Sequence, residues 1–87
     1  MMRLMENTVM PSVAEKPAPM DFIVLLGRLT KKKRWVLSET RVSATGVDYW
    51  YTHKETTAHI ILDQNWLTVN VGGEEYFSGM VDEAARI

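Results

Sequence analysis

The chain has 87 residues, a nearly balanced net charge of −1 and no cysteine. This length allows one domain, and a hydrophobic fraction of 46% excludes a chain that is disordered by composition. Disulfide bonds and thiolate metal sites are excluded, and the longest apolar runs are far shorter than the roughly 20 residues of a membrane span. We therefore expect a soluble, cytoplasmic protein.

Residues 1–19 differ in composition from the rest of the chain. They contain all three prolines and scattered methionines, and they show no periodic apolar pattern. We interpret them as a flexible N-terminal leader and predict a single β-rich domain over residues 20–87. A domain of this size buries only about 60% of its unfolded surface. We therefore expect a homodimer or a larger partner to cover the remaining apolar groups.

The first predicted strand has the sequence FIVLLGRL and is apolar on both alternating faces up to Leu26. The next strand, RWVLSETRV, has apolar residues that change parity, which predicts a β-bulge near Ser38 and Glu39. Residues 30–34, with the sequence TKKKR, are expected to form the hairpin loop between these two strands. Lysines in such a loop are solvated and discourage edge-to-edge aggregation.

Three further strands follow in the sequence. Residues 47–52 (VDYWYT) predict a strand whose odd-numbered residues share one face and whose even-numbered residues, including Trp50, share the other. A two-residue loop at Gln64-Asn65 would place the even-numbered residues 58–62 opposite the odd-numbered residues 67–71. Every facing pair is then apolar, which supports this register. A three-residue loop at this turn is the alternative.

Gly72-Gly73 predicts a tight hairpin because both glycines accept the positive φ angles of such a turn. With that loop, Tyr76 lies opposite Val69 on the apolar face, and Phe77 shares the second face with Trp66. Residues 80–87 (MVDEAARI) place carboxylates early and a cation late, which favours a short helix. The predicted fold class is mainly β: a small antiparallel meander of five or six strands, curled or barrel-like, with a short C-terminal helical segment.

The second face of the last strands is the expected protein-binding surface, because aromatic residues among small polar groups are typical of interfaces. A flattened barrel would turn this face inward, whereas an open sheet would leave it for a second copy or a target. The candidate residues are Trp50, His59, Trp66, Thr68, Asn70 and Phe77. We predict a non-catalytic protein-binding module, an accessory or inhibitory protein of the phage or mobile-element type that occupies a surface on a larger protein.

Nucleic-acid binding is the alternative function. Cations that contact phosphates release counterions, and neighbouring aromatic rings can stack on unpaired bases. The residues that would act in such a regulator are Lys31, Lys32, Lys33, Arg34, Trp35 and Trp50.

Enzymatic function is not indicated by any residue pattern. His53 and His59 are the only histidines, and neither has the spacing of a zinc site. The adjacent carboxylates at residues 74–75 and 82–83 point apart on a strand or helix, so neither pair forms an acid/base couple. We predict no enzymatic activity, no metal and no cofactor.

Overall fold

The computed structural model describes residues 18–87. Apart from Ala18 and Pro19, the predicted leader at residues 1–19 lies outside the described residues. No helix between residues 18 and 87 has the length and apolar character needed to cross a membrane. The elements are α1 (Phe22–Thr30), β1 (Val36–Val42), β2 (Gly46–His53), β3 (Thr56–Asp63), β4 (Trp66–Val71), β5 (Glu74–Met80) and α2 (Val81–Ala84).

The five strands form one antiparallel sheet in the order β1-β2-β3-β4-β5. Each strand pairs with its neighbour in the sequence, and β1 and β5 are the two edges. The predicted mainly β meander with a short C-terminal helix is therefore confirmed. The sheet is an open meander of five strands and does not close into a barrel.

Residues 22–30 form a helix where the sequence favoured a strand. Asp21 caps this helix, because its Oδ1 accepts hydrogen bonds from the backbone N–H groups of Ile23 and Val24 at 3.0 and 3.3 Å. The apolar residues that face inward recur at helical spacing, while Ile23 and Val24 lie on the exposed side. The buried residues of α1 are Phe22, Leu25 and Leu26.

The basic segment TKKKR is consequently not a hairpin loop; it ends α1 and leads into β1. Lys31 adopts a left-handed conformation with a φ of 63°, and its N–H donates to the carbonyl of Gly27 at 2.9 Å. Arg34 also has a positive φ, of 67°. These two residues turn the chain from the helix back to the edge of the sheet.

The core lies between α1 and one face of the sheet. The ring of Phe22 meets the ring of Tyr49 edge to face, with centroids 5.0 Å apart. Ala84 of α2 belongs to the same cluster, so both helices pack on this side. The buried strand residues are Val47, Tyr49, Tyr51, Ala58, Ile60, Leu62, Leu67, Val69 and Val71. The predicted alternation of β2, β3 and β4 is therefore confirmed.

Burial changes the acidity of one core tyrosine. Tyr51 is 6% exposed. Desolvation of its hydroxyl raises the pKa from 10.0 to about 12, with further contributions from Tyr49 and Asp21. The neutral phenol is therefore the form that this core holds.

Two of the predicted register features are confirmed. β3 and β4 pair through the two-residue loop at Gln64-Asn65, with Ile60 opposite Val69 and Leu62 opposite Leu67. The ladder between β1 and β2 shifts between Leu37 and Glu39, which is the expected bulge.

The register of the last hairpin differs from the prediction. β5 has a bulge, so that Asn70 pairs with Glu75 and Val69 pairs with Phe77, while Tyr76 is the extra residue. An extra residue shifts the parity of the strand beyond it. Phe77 therefore lies on the core side and packs against the core cluster. The prediction that Phe77 shares a face with Trp66 is wrong.

Candidate functional site

The open face is the side of the sheet that points away from α1 and α2. Its side chains are half-buried by one another or exposed, in contrast to the buried residues beneath the helices. The antiparallel register places most of the predicted binding residues on this face. These residues are Trp50, His59, Trp66, Thr68 and Asn70.

One row of side chains crosses the centre of the open face. Trp50, His59 and Asn70 lie directly opposite one another on β2, β3 and β4. The indole and imidazole rings stack with their centroids 4.5 Å apart and their planes inclined by only 7°. Aromatic pairs of this kind contribute about 0.5–1.5 kcal/mol beyond the area that they bury. The stack therefore fixes two adjacent strands to each other on the side that lacks helices.

A guanidinium extends this stack onto the edge strand. Cζ of Arg41 lies 5.2 Å from the centroid of the Trp50 ring. Because β1 and β3 flank β2 on opposite sides, the indole is held between Arg41 and His59. Arg41 also forms an ion pair with Glu39, with Nη2 and Oε2 2.9 Å apart. A cation over an aromatic ring at the protein surface contributes roughly 0.5–1 kcal/mol.

The orientation of His59 is set by a carboxylate. Its Nε2 lies 3.2 Å from Oδ1 of Asp48. An ionised carboxylate can only accept hydrogen bonds, so this contact requires a proton on Nε2. Both side chains are about one-third exposed, at 33% and 28%, so this pair is accessible to a partner.

A second cluster of the open face lies where β4 begins and β5 ends. Trp66 and Met80 are directly paired across β4 and β5 and are 48% and 42% exposed. Nε1 of Trp66 donates a hydrogen bond to Oγ of Ser78 at 3.2 Å, which restrains the indole. Large exposed apolar side chains that are neighbours across two strands are a typical anchor for a binding partner.

A shallow groove opens beside the central row, next to the turns that follow β2 and β4. Its lining combines ring edges with hydroxyl, amide and backbone groups. Among the lining residues are Trp50, Thr56, Thr57, His59, Asn70 and Gly72. The backbone N–H of Gly72 donates to the carbonyl of Thr57 at 3.0 Å, so the glycine turn is attached to β3. The groove therefore offers hydrogen-bonding groups and the carboxylate of Glu55 beside the Trp50 ring.

The residues of the nucleic-acid alternative are separated by the fold. The four cations of residues 31–34 are exposed. Trp35 is 2% exposed, its Nε1 donates to Oγ1 of Thr30 at 3.3 Å, and its ring lies 5.4 Å from that of His53. The Trp50 ring stacks on His59, and the guanidinium of Arg41 lies 5.2 Å from its centroid. A base therefore cannot stack on the buried Trp35, and on Trp50 it would compete with the contacts of Arg41 and His59.

Metal chemistry receives no support from the side-chain arrangement. Within residues 18–87, no three His, Asp or Glu side chains come together in a way that could hold a metal ion. His59 has a carboxylate partner in Asp48, but the nearest further groups of its row are the amide of Asn70 and the ring of Trp50. Covalent catalysis would require a nucleophilic side chain beside this His–Asp pair, and the two neighbours of His59 in its row, Asn70 and Trp50, are not nucleophiles.

Sequence reasoning missed three participants of the open face: Arg41, Asp48 and Met80. The bulge in β1 hid the parity of Arg41, although its opposite charge to Glu39 two residues earlier was a usable signal. Asp48 shares the parity of Trp50, and pairing β2 with β3 would have brought it beside His59. Met80 was assigned to the C-terminal helical segment, whereas β5 extends through Met80 and the helix begins at Val81.

Comparison with known proteins does not assign a function to this surface. The chain matches no protein-family model, no curated protein and no solved structure. The residues of the open face are therefore the guide to function.

Proposed function

We propose that this chain is a non-catalytic protein-binding module that docks the open face of its sheet against a larger protein. One observation carries the proposal: an organised aromatic surface lies on a face that neither α1 nor α2 covers. Core residues of the other face are almost fully enclosed, whereas Trp66 and Met80 on this face are 48% and 42% exposed. Exposed apolar pairs rimmed by polar groups mark interaction surfaces.

The open face is already ordered in the unbound molecule. Trp50 is held between Arg41 and His59, and His59 is oriented by Asp48. Side chains that are fixed before binding lose less conformational entropy when a partner arrives, and indoles are frequent binding anchors for this reason. Pre-organisation therefore supports a role in recognition and not only in stability.

The charges of this surface favour a particular kind of target. Glu39 pairs with Arg41, and Asp48 pairs with His59, whereas Asp63 opposite Trp66 and Glu75 opposite Asn70 add exposed carboxylates to the same face. The complementary surface would bring apolar groups to Trp66 and hydrogen-bonding groups to the central row. A module of this kind acts by occupying its partner, as small accessory or inhibitory proteins of phages and mobile elements do. The two carboxylates favour a partner with basic groups at the edge of the interface, so we expect its affinity to fall moderately as the salt concentration rises.

The test is capture of a target by immobilised chain, followed by affinity measurement with the purified partner. Trp66→Ala and Trp50→Ala should each weaken binding about tenfold or more, because central aromatic anchors dominate interface energy. The matched control is Val24→Ala, which truncates a residue of similar exposure, 44%, on the outer side of α1. This variant should bind like the parent chain.

Two results would overturn this proposal. One is a captured partner whose affinity is unchanged by both tryptophan variants, which would place the binding surface elsewhere. The other is nuclease-sensitive capture, with oligonucleotide affinity that falls steeply with salt and flattens in the triple variant Lys31→Ala/Lys32→Ala/Lys33→Ala. That result would favour the nucleic-acid alternative, which retains its exposed cations in the structure.

A further inference from the structure

β1 is an edge strand, and no strand of residues 18–87 pairs with its outer side. It nevertheless exposes large apolar side chains: Leu37 is 44% exposed and Val42 is 39% exposed. Edge strands usually carry charged side chains, especially lysine, or a proline or a β-bulge, which discourage pairing with other chains. Between Val36 and Val42, β1 has neither lysine nor proline; it has one Glu and one Arg, and its bulge lies between Leu37 and Glu39. The part of this edge beyond the bulge can therefore accept a neighbour whose charges are complementary.

The backbone of β1 can be oriented from its hairpin with β2. The N–H of Ser43 donates to the carbonyl of Gly46 at 2.8 Å, so Ser43 points its backbone groups toward β2. Hydrogen-bonded and non-hydrogen-bonded pairs alternate along an antiparallel ladder. Thr40 and Val42 consequently direct their N–H and C=O groups outward, where another strand could pair with them.

The order of charges along β1 is self-complementary when two copies of the strand pair antiparallel. Glu39 and Arg41 both lie on the open-face side, since they are opposite Trp50 and Asp48, and they flank Thr40. In an antiparallel pair centred on Thr40, Glu39 of one copy lies opposite Arg41 of the partner subunit, and the reverse pair forms by symmetry. The ion pair that now links Glu39 and Arg41 within one strand, at 2.9 Å, would become a network of four charges.

The same register brings the exposed apolar groups together. Leu37 and Val42 pair with Tyr51 and Val47, so both lie on the helix side of the sheet. When Thr40 is opposite Thr40 of the partner subunit, Val42 reaches the bulge at Ser38 and approaches Leu37 of the partner subunit. Backbone orientation, charge order and apolar exposure therefore agree on one register.

We propose that two copies of this chain pair antiparallel along β1, centred on Thr40, and form a continuous sheet from both sets of five strands. The other edge lacks this self-complementarity, because the charged residues of β5, Glu74 and Glu75, are both acidic. The twofold axis would stand perpendicular to the sheet, so both open faces would lie on the same side. Together with the proposed function, this arrangement gives a target two binding surfaces side by side.

The first test is the molar mass of the full chain by size exclusion with light scattering over a concentration series. We expect a concentration-dependent dimer. Thr40→Pro removes an outward N–H and should convert the dimer to a monomer, while an edge strand tolerates proline at such a position. Far-UV circular dichroism checks that the variant remains folded.

Charge reversal gives the more specific test and does not require the proline variant to fold. Glu39→Arg sets two guanidinium groups against each other across the interface, and Arg41→Glu sets two carboxylates there. Each variant alone should therefore dimerise about tenfold or more weakly. An equimolar mixture of the two variants should form a heterodimer, because one strand is then basic and the other acidic. The double variant Glu39→Arg/Arg41→Glu should dimerise with itself again.

A parent chain that stays monomeric at every concentration would overturn this inference, as would a dimer unaffected by Thr40→Pro and by both charge reversals. Failure of the β1 interface and failure of target binding are distinguishable. Trp66→Ala should leave the dimer intact because Trp66 lies on β4, three strands away from β1. Thr40→Pro should leave the binding of one protomer to its target measurable.

Discussion

The two faces of the sheet carry similar residues in different surroundings, and β3 shows the difference most clearly. Ile60 is 0% exposed and belongs to the core cluster between the sheet and α1. Ile61, the next residue, is half-buried on the open face, opposite Asp48 on one side and Thr68 on the other. One residue type therefore serves stability on one face and lies in a polar, partner-accessible surface on the other.

The cohesive forces of the two faces differ as well. The helix side is held by apolar burial, with the Phe22 ring set edge to face against Tyr49. The open face is held by directed contacts: stacked rings, a cation over an indole and a hydrogen bond between His59 and Asp48. Directed contacts keep a surface ordered without covering it, which is what the proposed docking role requires.

The largest predicted effect comes from truncating the two isoleucines of β3 separately. Ile60→Ala removes a fully buried side chain and should cost about 2–5 kcal/mol of unfolding free energy, because a cavity remains in the core. Ile61→Ala, its matched control, should cost less than about 1 kcal/mol, since its site is open and can be solvated. Urea unfolding monitored by circular dichroism measures both values.

Equal costs for the two variants would contradict the comparison, because they would show that the open face is packed as tightly as the core. If Ile60→Ala is already unfolded in the absence of urea, Ile60→Val provides a smaller truncation, with an expected cost of about 0.5–1.5 kcal/mol.

The alternation of β2, β3 and β4 could be predicted from the sequence because a strand places successive side chains on opposite faces. The facing apolar pairs then selected one register for β3 and β4. Gly72 and Gly73 predicted the last turn, and their φ angles are 60° and 87°. Most of the open face follows from the same alternation, which is why Trp50, His59 and Asn70 were found.

α1 was missed because Phe22, Ile23 and Val24 have high β-propensity and dominate a short apolar segment. The helical spacing of Phe22, Leu25 and Leu26 and the capping residue Asp21 were present in the sequence. Packing on the sheet rather than intrinsic propensity decides the state of so short a segment. A helix here also removes the need for a strand that is buried on both faces.

The face on which Phe77 lies could not be predicted for a different reason. Tyr76 and Phe77 are both aromatic, and either can occupy the apolar face of a strand. The choice depends on a bulge, which adds one residue and leaves the composition of the strand unchanged. Nothing in the sequence of residues 74–80 distinguishes the two registers, so the site residues beyond the bulge could not be assigned to a face.

The second predicted effect concerns the helix side at high pH. Burial raises the pKa of Tyr51 from 10.0 to about 12, so the folded state holds the proton more tightly than the unfolded state. The stabilisation is complete below pH 10 and is lost as the pH rises from 10 through 12, because the unfolded chain ionises first. The loss should amount to roughly 2–3 kcal/mol for a shift of this size.

Comparison with Tyr51→Phe isolates this contribution, because lysine deprotonation affects both chains equally. The phenylalanine variant should show a shallower decline of unfolding free energy between pH 10 and pH 12. Parallel declines in the two chains would mean that the Tyr51 hydroxyl is solvated in the folded protein, against its exposure of 6%.

The smallest predicted effect is the coupling between Trp50 and His59 on the open face. A double-mutant cycle with Trp50→Ala and His59→Ala should give about 0.5–1.5 kcal/mol, because the rings stack with centroids 4.5 Å apart. The control cycle combines His59→Ala with Trp66→Ala, which are on the same face but separated along their strands, since Trp66 pairs with Asp63. Sites without shared partners should be additive within about 0.3–0.5 kcal/mol. Equal coupling in both cycles would mean that the open face responds as one packed layer, and the stack would then have no specific role in holding the docking surface.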